Sequence, residues 1–157
     1  MTPFDAVDLG REYNFDDVDV KTEVGPMGQT LLQAAIGSTT SPKYRSTDWL
    51  EFFVSHGVPL DHHDVNGDTA LHYSISRGFN DITMFLISKK ANVNASNKHG
   101  NGPLWAAIIN GKTAHEVISA LVAAGADTKQ VNKHGRSCGD LVKEMNLEWL
   151  KAATNVR

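Results

Sequence analysis

One cysteine, Cys138, is all that the 157 residues contain, so no disulfide can close within the chain. That scarcity fits a reducing compartment, and cytoplasm is the expected location. No run of about 18 apolar residues occurs, which predicts no membrane-spanning helix. The opening stretch Met1-Thr-Pro-Phe-Asp-Ala-Val-Asp8 lacks a basic region ahead of an apolar one, so no signal peptide is expected. There is also no excess of charge: charged residues are 21% and hydrophobic residues 41% of the chain, the balance of a folded globular protein rather than a disordered one.

The net charge of −3 is unevenly spread. Asp5, Asp8, Glu12, Asp16, Asp17, Asp19 and Glu23 crowd residues 1–23 against only Arg11 and Lys21. Residues 89–157 are basic on balance. Such polarity steers association with charged partners.

What the chain does have is repetition. Gly28-Gln-Thr30-Leu-Leu32-Gln-Ala34-Ala35, Gly67-Asp-Thr69-Ala-Leu71-His72-Tyr-Ser74 and Gly100-Asn-Gly102-Pro103-Leu104-Trp105-Ala106-Ala107 align without a gap. Gly135-Arg-Ser137-Cys138-Gly-Asp140-Leu141-Val142 is a weaker fourth copy. A period near 33 residues signals stacked helical units. Thr30 and Thr69 stand where a helix N-cap is needed, and Pro103 falls at a first helical position, where a missing N–H costs nothing. Gly102 should cap less well than threonine. Ala34-Ala35 and Ala106-Ala107 are small enough for inner helices to approach closely. Larger apolar residues at helical spacing, such as Ile82, Phe85 and Leu86 or Val117, Ile118 and Leu121, mark a second helix in each unit. Gly57 and Gly125 suit the left-handed residue that ends such a helix, and Lys89-Lys90 suits a helix C-terminus.

These residues resemble the ankyrin repeat. Gly67 to Asn94 carries the signature at Leu71, His72, Gly78, Leu86, Val93 and Asn94, and Gly100 to Asp127 carries it at Pro103, Leu104, Gly111, Leu121, Gly125 and Ala126. The resemblance implies an all-α solenoid of stacked helix-turn-helix units joined by short hairpins. On that register an acidic arm or cap occupies residues 1–23 and the repeat domain residues 24–157. Its repeats fall at about 24–61, 62–94 and 95–129, followed by a C-terminal cap at 130–157. Residues 1–23 match no repeat, and Phe4, Val7, Tyr13 and Phe15 are anchors for either a helix or an arm. The first repeat has an insertion within Gly37–Thr47, long enough for a second contact loop or an exposed turn of no consequence. In the cap, Met145, Leu147, Trp149 and Leu150 are expected to cover the last helix face.

Four patterns invite chemistry or modification and fall short of it. Ala106-Ala-Ile-Ile-Asn-Gly111-Lys112-Thr113 ends like a phosphate-binding loop but lacks its first glycine and follows no strand. His62-His63-Asp64 puts neighbouring side chains on opposite sides of an extended segment, and a zinc site lacks further ligands. Cys138 falls at a buried position with no assignable base. Asn94-Ala95-Ser96 matches a glycosylation sequon but coincides with the repeat's own hairpin residue. No catalytic residue, cofactor or metal ion is therefore expected, and the reading is a non-enzymatic binding protein.

In ankyrin-like stacks the hairpin tips and inner helices form the binding surface. By resemblance the candidate partner-binding residues are Met27 and Gln29; His63, Val65, Asn66, Asp68, Ser76 and Arg77; Ser96, Lys98, His99, Asn101, Ile109 and Asn110; and Lys133, His134 and Arg136. Lys98-His99 and Lys133-His134 form a basic ridge. Without interleaved aromatics it favours an acidic protein patch over nucleic acid. Trp105 replaces the signature histidine and is expected to pack between repeats rather than anchor a partner. More narrowly, Gly100 to Gly111 with Asn132-Lys-His-Gly-Arg-Ser137 is similar to small stand-alone bacterial ankyrin proteins of the toxin-immunity type. That implies a monomer that inhibits a cognate toxin domain, with a general scaffold or regulatory adaptor as the alternative.

Overall fold

The computed structural model describes residues 1–16, 18–22, 24–39 and 42–154, the last three by their backbone alone. Asp17 and Glu23 of the acidic segment, Thr40 and Ser41 of the insertion and the final residues 155–157 lie outside the described set. Among the described residues the helices are α1 (Pro3–Leu9), α2 (Leu31–Gly37), α3 (Thr47–Ser55), α4 (Ala70–Arg77), α5 (Asn80–Ser88), α6 (Pro103–Asn110), α7 (His115–Ala123), α8 (Cys138–Glu144) and α9 (Glu148–Thr154), with a 3-10 turn at Lys43–Arg45. Among the described residues there is no β-strand, only isolated bridges at Val24–Thr30 and Val131–Ser137. The helices pair as α2/α3, α4/α5, α6/α7 and α8/α9, and α2, α4, α6 and α8 stack side by side as an inner layer. This is the all-α solenoid that the repeats imply.

Local chemistry starts each inner helix. Thr30 Oγ1 accepts the Gln33 N–H at 3.3 Å while Gln33 Oε1 accepts the Thr30 N–H at 2.7 Å, a reciprocal capping box. Ser137 and Asp140 repeat it, at 3.2 and 2.7 Å. Gly102 offers no side-chain cap, and Pro103 opens α6 as its register requires. Leu32, Leu71 and Leu104 then fall in the core, and Ala35 and Ala107 are each 1% exposed where inner helices meet. Gly57 and Gly125 take left-handed φ values of 81° and 94° after α3 and α7, whereas Lys90 adopts φ 67° at the matching place after α5.

Two segments that the sequence left open take definite forms at the N-terminus, the first as a helix from Thr2-Pro3 followed by an arm. Residues 1–23 do contain a repeat element: Thr2-Pro3-Phe4-Asp5 begins α1 in the register of the inner helices. Thr2 Oγ1 accepts the Asp5 N–H at 3.1 Å and Asp5 Oδ2 accepts the Thr2 N–H at 2.8 Å. The helix packs against α2 as α2 does against α4, so α1 is an inner helix without an outer partner. An irregular arm follows in place of that partner. Its Phe15 is 6% exposed, with its ring 5.6–6.0 Å from those of Tyr44, Trp49, Phe52 and Phe53. The insertion takes a structural place as well. Its Tyr44 is 1% exposed and donates its hydroxyl to the Arg11 carbonyl at 2.5 Å, while Lys43 pairs with Glu12. Lys43 and Tyr44 lock the arm down.

At the other end Leu150 is fully buried and Leu147 packs against the core, but Met145 is 47% exposed because it ends α8 at the turn into α9. Trp149 remains 37% exposed, stacked on His115 at 3.8 Å. Cap coverage thus rests on Leu147 and Leu150, with Trp149 shielding the start of α7.

Candidate partner-binding surface

The hairpin before each of α2, α4, α6 and α8 is one structure built four times. Gly25, Asp64, Asn97 and Asn132 donate their N–H to the carbonyls of Gln29, Asp68, Asn101 and Arg136 at 2.8–3.1 Å. In the last three turns the side chain of the leading residue closes the inside. Asp64 Oδ1 accepts the N–H groups of Asn66 and Asp68, Asn97 Oδ1 those of His99 and Asn101, and Asn132 Oδ1 those of His134 and Arg136, all at 2.8–3.2 Å. Asp and Asn are suited to this because a short side-chain oxygen reaches the backbone two residues on. The first turn has Gly25 there instead, and Gln29 Oε1 accepts the Met27 N–H at 2.9 Å.

Neighbouring turns are joined through main-chain atoms. Val65 N–H reaches Met27 C=O, Lys98 N–H reaches Asn66 C=O, and Lys133 N–H reaches His99 C=O, at 2.9–3.0 Å. This explains two of the lead glycines. Gly67 and Gly100 have φ of 78° and 77°, and a Cβ on either would sit 2.8 or 2.9 Å from the backbone nitrogen of Lys98 or Lys133. Only glycine permits both the turn and the approach.

A second set of bonds ties inner helices to the following turn. Gln33 Nε2 donates to the Asp68 carbonyl at 2.7 Å and to that of His62 at 3.0 Å. One repeat on, His72 Nδ1 accepts the Thr69 N–H at 3.2 Å, which leaves the proton on Nε2 to bond the Asn101 carbonyl at 3.1 Å. Burial holds the His72 pKa below its ordinary value, so the ring is neutral as this arrangement needs. At the third position Trp105 is partly buried against the core and lines a narrow gap with Gln130, Asn132 and Cys138. The Arg136 guanidinium lies 5.8 Å from its ring. Trp105 therefore packs between the third repeat and the cap.

Placement of the candidate residues divides them. Met27, His63, Val65, Asn66, Ser76, Lys98, His99, Ile109, Lys133 and His134 are exposed. Met27, Val65 and Ile109 present apolar surface at 51%, 43% and 54% exposure. Lys98-His99 and Lys133-His134 follow one another along the linked turns, as the ridge requires. Seven others also make bonds within the fold. Asp68 Oδ1 accepts from Asn97 Nδ2, and Asn101 Oδ1 from Asn132 Nδ2. Ser96 accepts from Gln130, Arg136 pairs with Glu144, and Gln29 closes the first turn. Arg77 donates to the Gly37 carbonyl at 2.8 Å and Asn110 to the Ile75 carbonyl at 2.5 Å. Both clamp the C-terminus of the preceding inner helix from the same register position, a role that exposure alone does not reveal. Asn97 and Asn132 were missed as turn-formers, although their spacing three residues ahead of each lead glycine is visible in the sequence.

The other chemical candidates take structural places. His62 Nε2 bonds the Gly28 carbonyl at 2.7 Å, and no group of three or more metal-ligating side chains gathers among the described residues. Residues Ala106–Asn110 are helix α6, whose backbone N–H groups are turned into the helix rather than toward a phosphate. The Cys138 thiol is pushed up to about 12 by burial, which leaves it protonated and inert at neutral pH. No described helix is long and apolar enough to cross a membrane.

Comparison with known proteins agrees with this architecture. A family model described as ankyrin repeats, three copies, matches residues 41–132, more than half of the chain. The chain is 34% identical over 121 residues, 77% of its length, to BCL-6 corepressor-like protein 1 of Mus musculus, of which it covers 6%. Over 52 residues, 33% of its length, it is 48% identical to ankyrin repeat protein OPG189 of Monkeypox virus, covering 9% of that protein. It is also 30% identical over 89 residues, 57% of its length, to potassium channel AKT2/3 of Arabidopsis thaliana, covering 11%. The chain thus spans about a tenth or less of the length of these relatives.

Proposed function

Because the chain belongs to the ankyrin-repeat family, we propose that it is a non-enzymatic scaffold or adaptor that grips another protein along its hairpin tips. The observation that carries this reading is the linked row of turns. Backbone bonds from Met27 to Val65, Asn66 to Lys98 and His99 to Lys133 hold the tips as one ribbon, so their side chains are positioned before any partner arrives. Along it the surface grades from apolar at Met27 and Val65 to basic at Lys98, His99, Lys133 and His134. A partner surface with an acidic patch beside an apolar one is complementary to that gradient. The toxin-immunity role is the finer version of the same reading. The mammalian, poxviral and plant relatives named above lend it no support, and the scaffold role is the one retained. The free protein is taken to be a monomer in the cytoplasm.

The test is affinity capture from the native cell, comparing the wild-type chain with a variant bearing Lys98→Ser, His99→Ser, Lys133→Ser and His134→Ser. One dominant acidic partner held by the first and lost by the second supports the reading. Equal capture by both proteins, with the variant still folded, places binding elsewhere and overturns it.

A further inference from the structure

Asparagine is followed by glycine at Asn66-Gly67, Asn101-Gly102 and Asn110-Gly111. Without a Cβ, glycine leaves its main-chain nitrogen unshielded, so that nitrogen can reach the side-chain carbonyl of the asparagine before it. The fold treats the three pairs unequally. Gly67 N–H donates to the Asp64 carbonyl at 2.9 Å, which ties up the nitrogen. Asn110 Nδ2 donates to the Ile75 carbonyl at 2.5 Å, which pins the side chain.

At Asn101-Gly102 the nitrogen is free. Thr30, Thr69 and Ser137 hold the place of Gly102 in the other hairpins. They donate their N–H groups to Gln33 Oε1, His72 Nδ1 and Asp140 Oδ2, three residues on, at 2.7–3.2 Å. Trp105 stands at that acceptor position in α6, and an indole N–H only donates. Among the described residues Gly102 N–H therefore meets no acceptor. The Asn101 side chain is prepared from its other end. Its Oδ1 accepts from Asn132 Nδ2 at 2.9 Å, which draws electrons away from the carbonyl carbon and leaves the Asn101 Nδ2 unheld. Gly102, Trp105 and Asn132 all line the narrow gap beside α6, whose volume of about 10 Å³ is room for about one water.

We infer that Asn101 is a site of self-modification, where the chain deamidates through a succinimide without an enzyme. The Gly102 nitrogen bonds to the Asn101 side-chain carbonyl carbon, the bond from that carbon to Nδ2 breaks, and ammonia leaves with the proton from Gly102. Water then opens the ring at either carbonyl, giving aspartate or isoaspartate. Both products put a carboxylate into the hairpin that carries Lys98-His99. Isoaspartate also removes the Asn101 carbonyl from the main chain, where it accepts from Asn97 N–H at 3.0 Å and His72 Nε2 at 3.1 Å. The outcome is a slow, one-way change to the tip surface, and it holds whether or not a partner grips that surface.

Peptide mapping by mass spectrometry, on the full chain kept folded in mildly alkaline buffer for several weeks, tests the assignment. Asn101 should gain the mass of deamidation ahead of Asn66 and Asn110, with isoaspartate among its products. In denaturant the three sites should react at similar rates, because the order comes from the fold. Trp105→Gln supplies the acceptor that Gln33 supplies in the first repeat. It should slow Asn101 about fivefold, equivalent to roughly 1 kcal/mol, whereas Trp105→Leu should not slow it. Should either variant melt early, the ranking of the three sites in the wild-type chain, folded against denatured, decides without them. Asn66 or Asn110 reacting first in the folded protein overturns the inference. Equal slowing by both Trp105 variants, or a ranking unchanged in denaturant, does so too.

Discussion

Around Phe15 the chain gathers half of its aromatic residues, Tyr13, Phe15, Tyr44, Trp49, Phe52 and Phe53, with neighbouring ring centroids 4.6–6.1 Å apart. Between Asp64 and Arg136 the stack is held instead by amide and carboxylate side chains and by backbone bonds that recur from turn to turn. The first region has lost the repeat's regularity, since α1 has no outer helix and an arm fills the vacancy. Ring packing is tolerant of irregular backbone because it needs volume and contact rather than register. Hydrogen bonding between turns demands register, and the middle of the chain keeps it. An irregular end can therefore be sealed by large side chains where a regular interior uses small, directional ones.

The largest effect that would sharpen this contrast is Phe15→Ala. It should destabilise by about 3–5 kcal/mol, the usual cost for a buried phenylalanine. Hydrogen exchange should show residues 1–58 opening first while the later turns stay protected. Uniform opening would break the distinction between the regions. Leu71→Ala, in the regular part, should cost about 2–5 kcal/mol in denaturant unfolding and loosen the repeats on both sides together.

His72→Ala should cost about 1–3 kcal/mol by leaving the Thr69 N–H and Asn101 carbonyl unpaired. His72→Gln should retain most of that stability, since Gln33 makes the equivalent bonds one repeat earlier. The pair also separates in pH. Burial, the largest influence, lowers the folded pKa of His72 below its unfolded value, although Asp68 and Asp64 nearby oppose the shift. Its contribution is thus fully present above the ordinary histidine pKa of about 6.5 and is lost as pH falls through the folded value. Unfolding midpoints measured from pH 7.5 to 5 should fall more steeply for wild type than for His72→Gln.

Lys90→Gly should stabilise by roughly 1 kcal/mol, because a non-glycine residue pays a steric cost in the left-handed region. The smallest change expected is in the fourfold tip variant described above. Its melting curve should match wild type within about 0.5 kcal/mol, since the tips are held by main-chain atoms.

Periodicity made the inner helices, their threonine caps and the stop glycines legible, because each depends on a residue type recurring at one offset. A helix starting at Thr2-Pro3 was legible as one alternative, but its membership of the inner layer was not. Thr2-Pro3-Phe4-Asp5 has the right chemistry, but the distance from Thr2 to Thr30 is shorter than a full repeat. The place of Tyr44 was not legible either, since a contact between an insertion and a nonrepeating arm leaves no period in the sequence. Among the surface residues, register placed Lys98, His99, Lys133 and His134 on exposed tips. It could not separate them from Arg77 and Asn110, whose solvent-side positions conceal bonds to the helix beside them.

A turn braced by its neighbour through peptide groups is indifferent to the side chains it displays. Val65-Asn66 and the two Lys-His pairs, Lys98-His99 and Lys133-His134, are unlike dipeptides mounted on the same bracket. Selection, or a library randomised over those six positions, can redraw the recognised shape and charge while the mounting stays as it is.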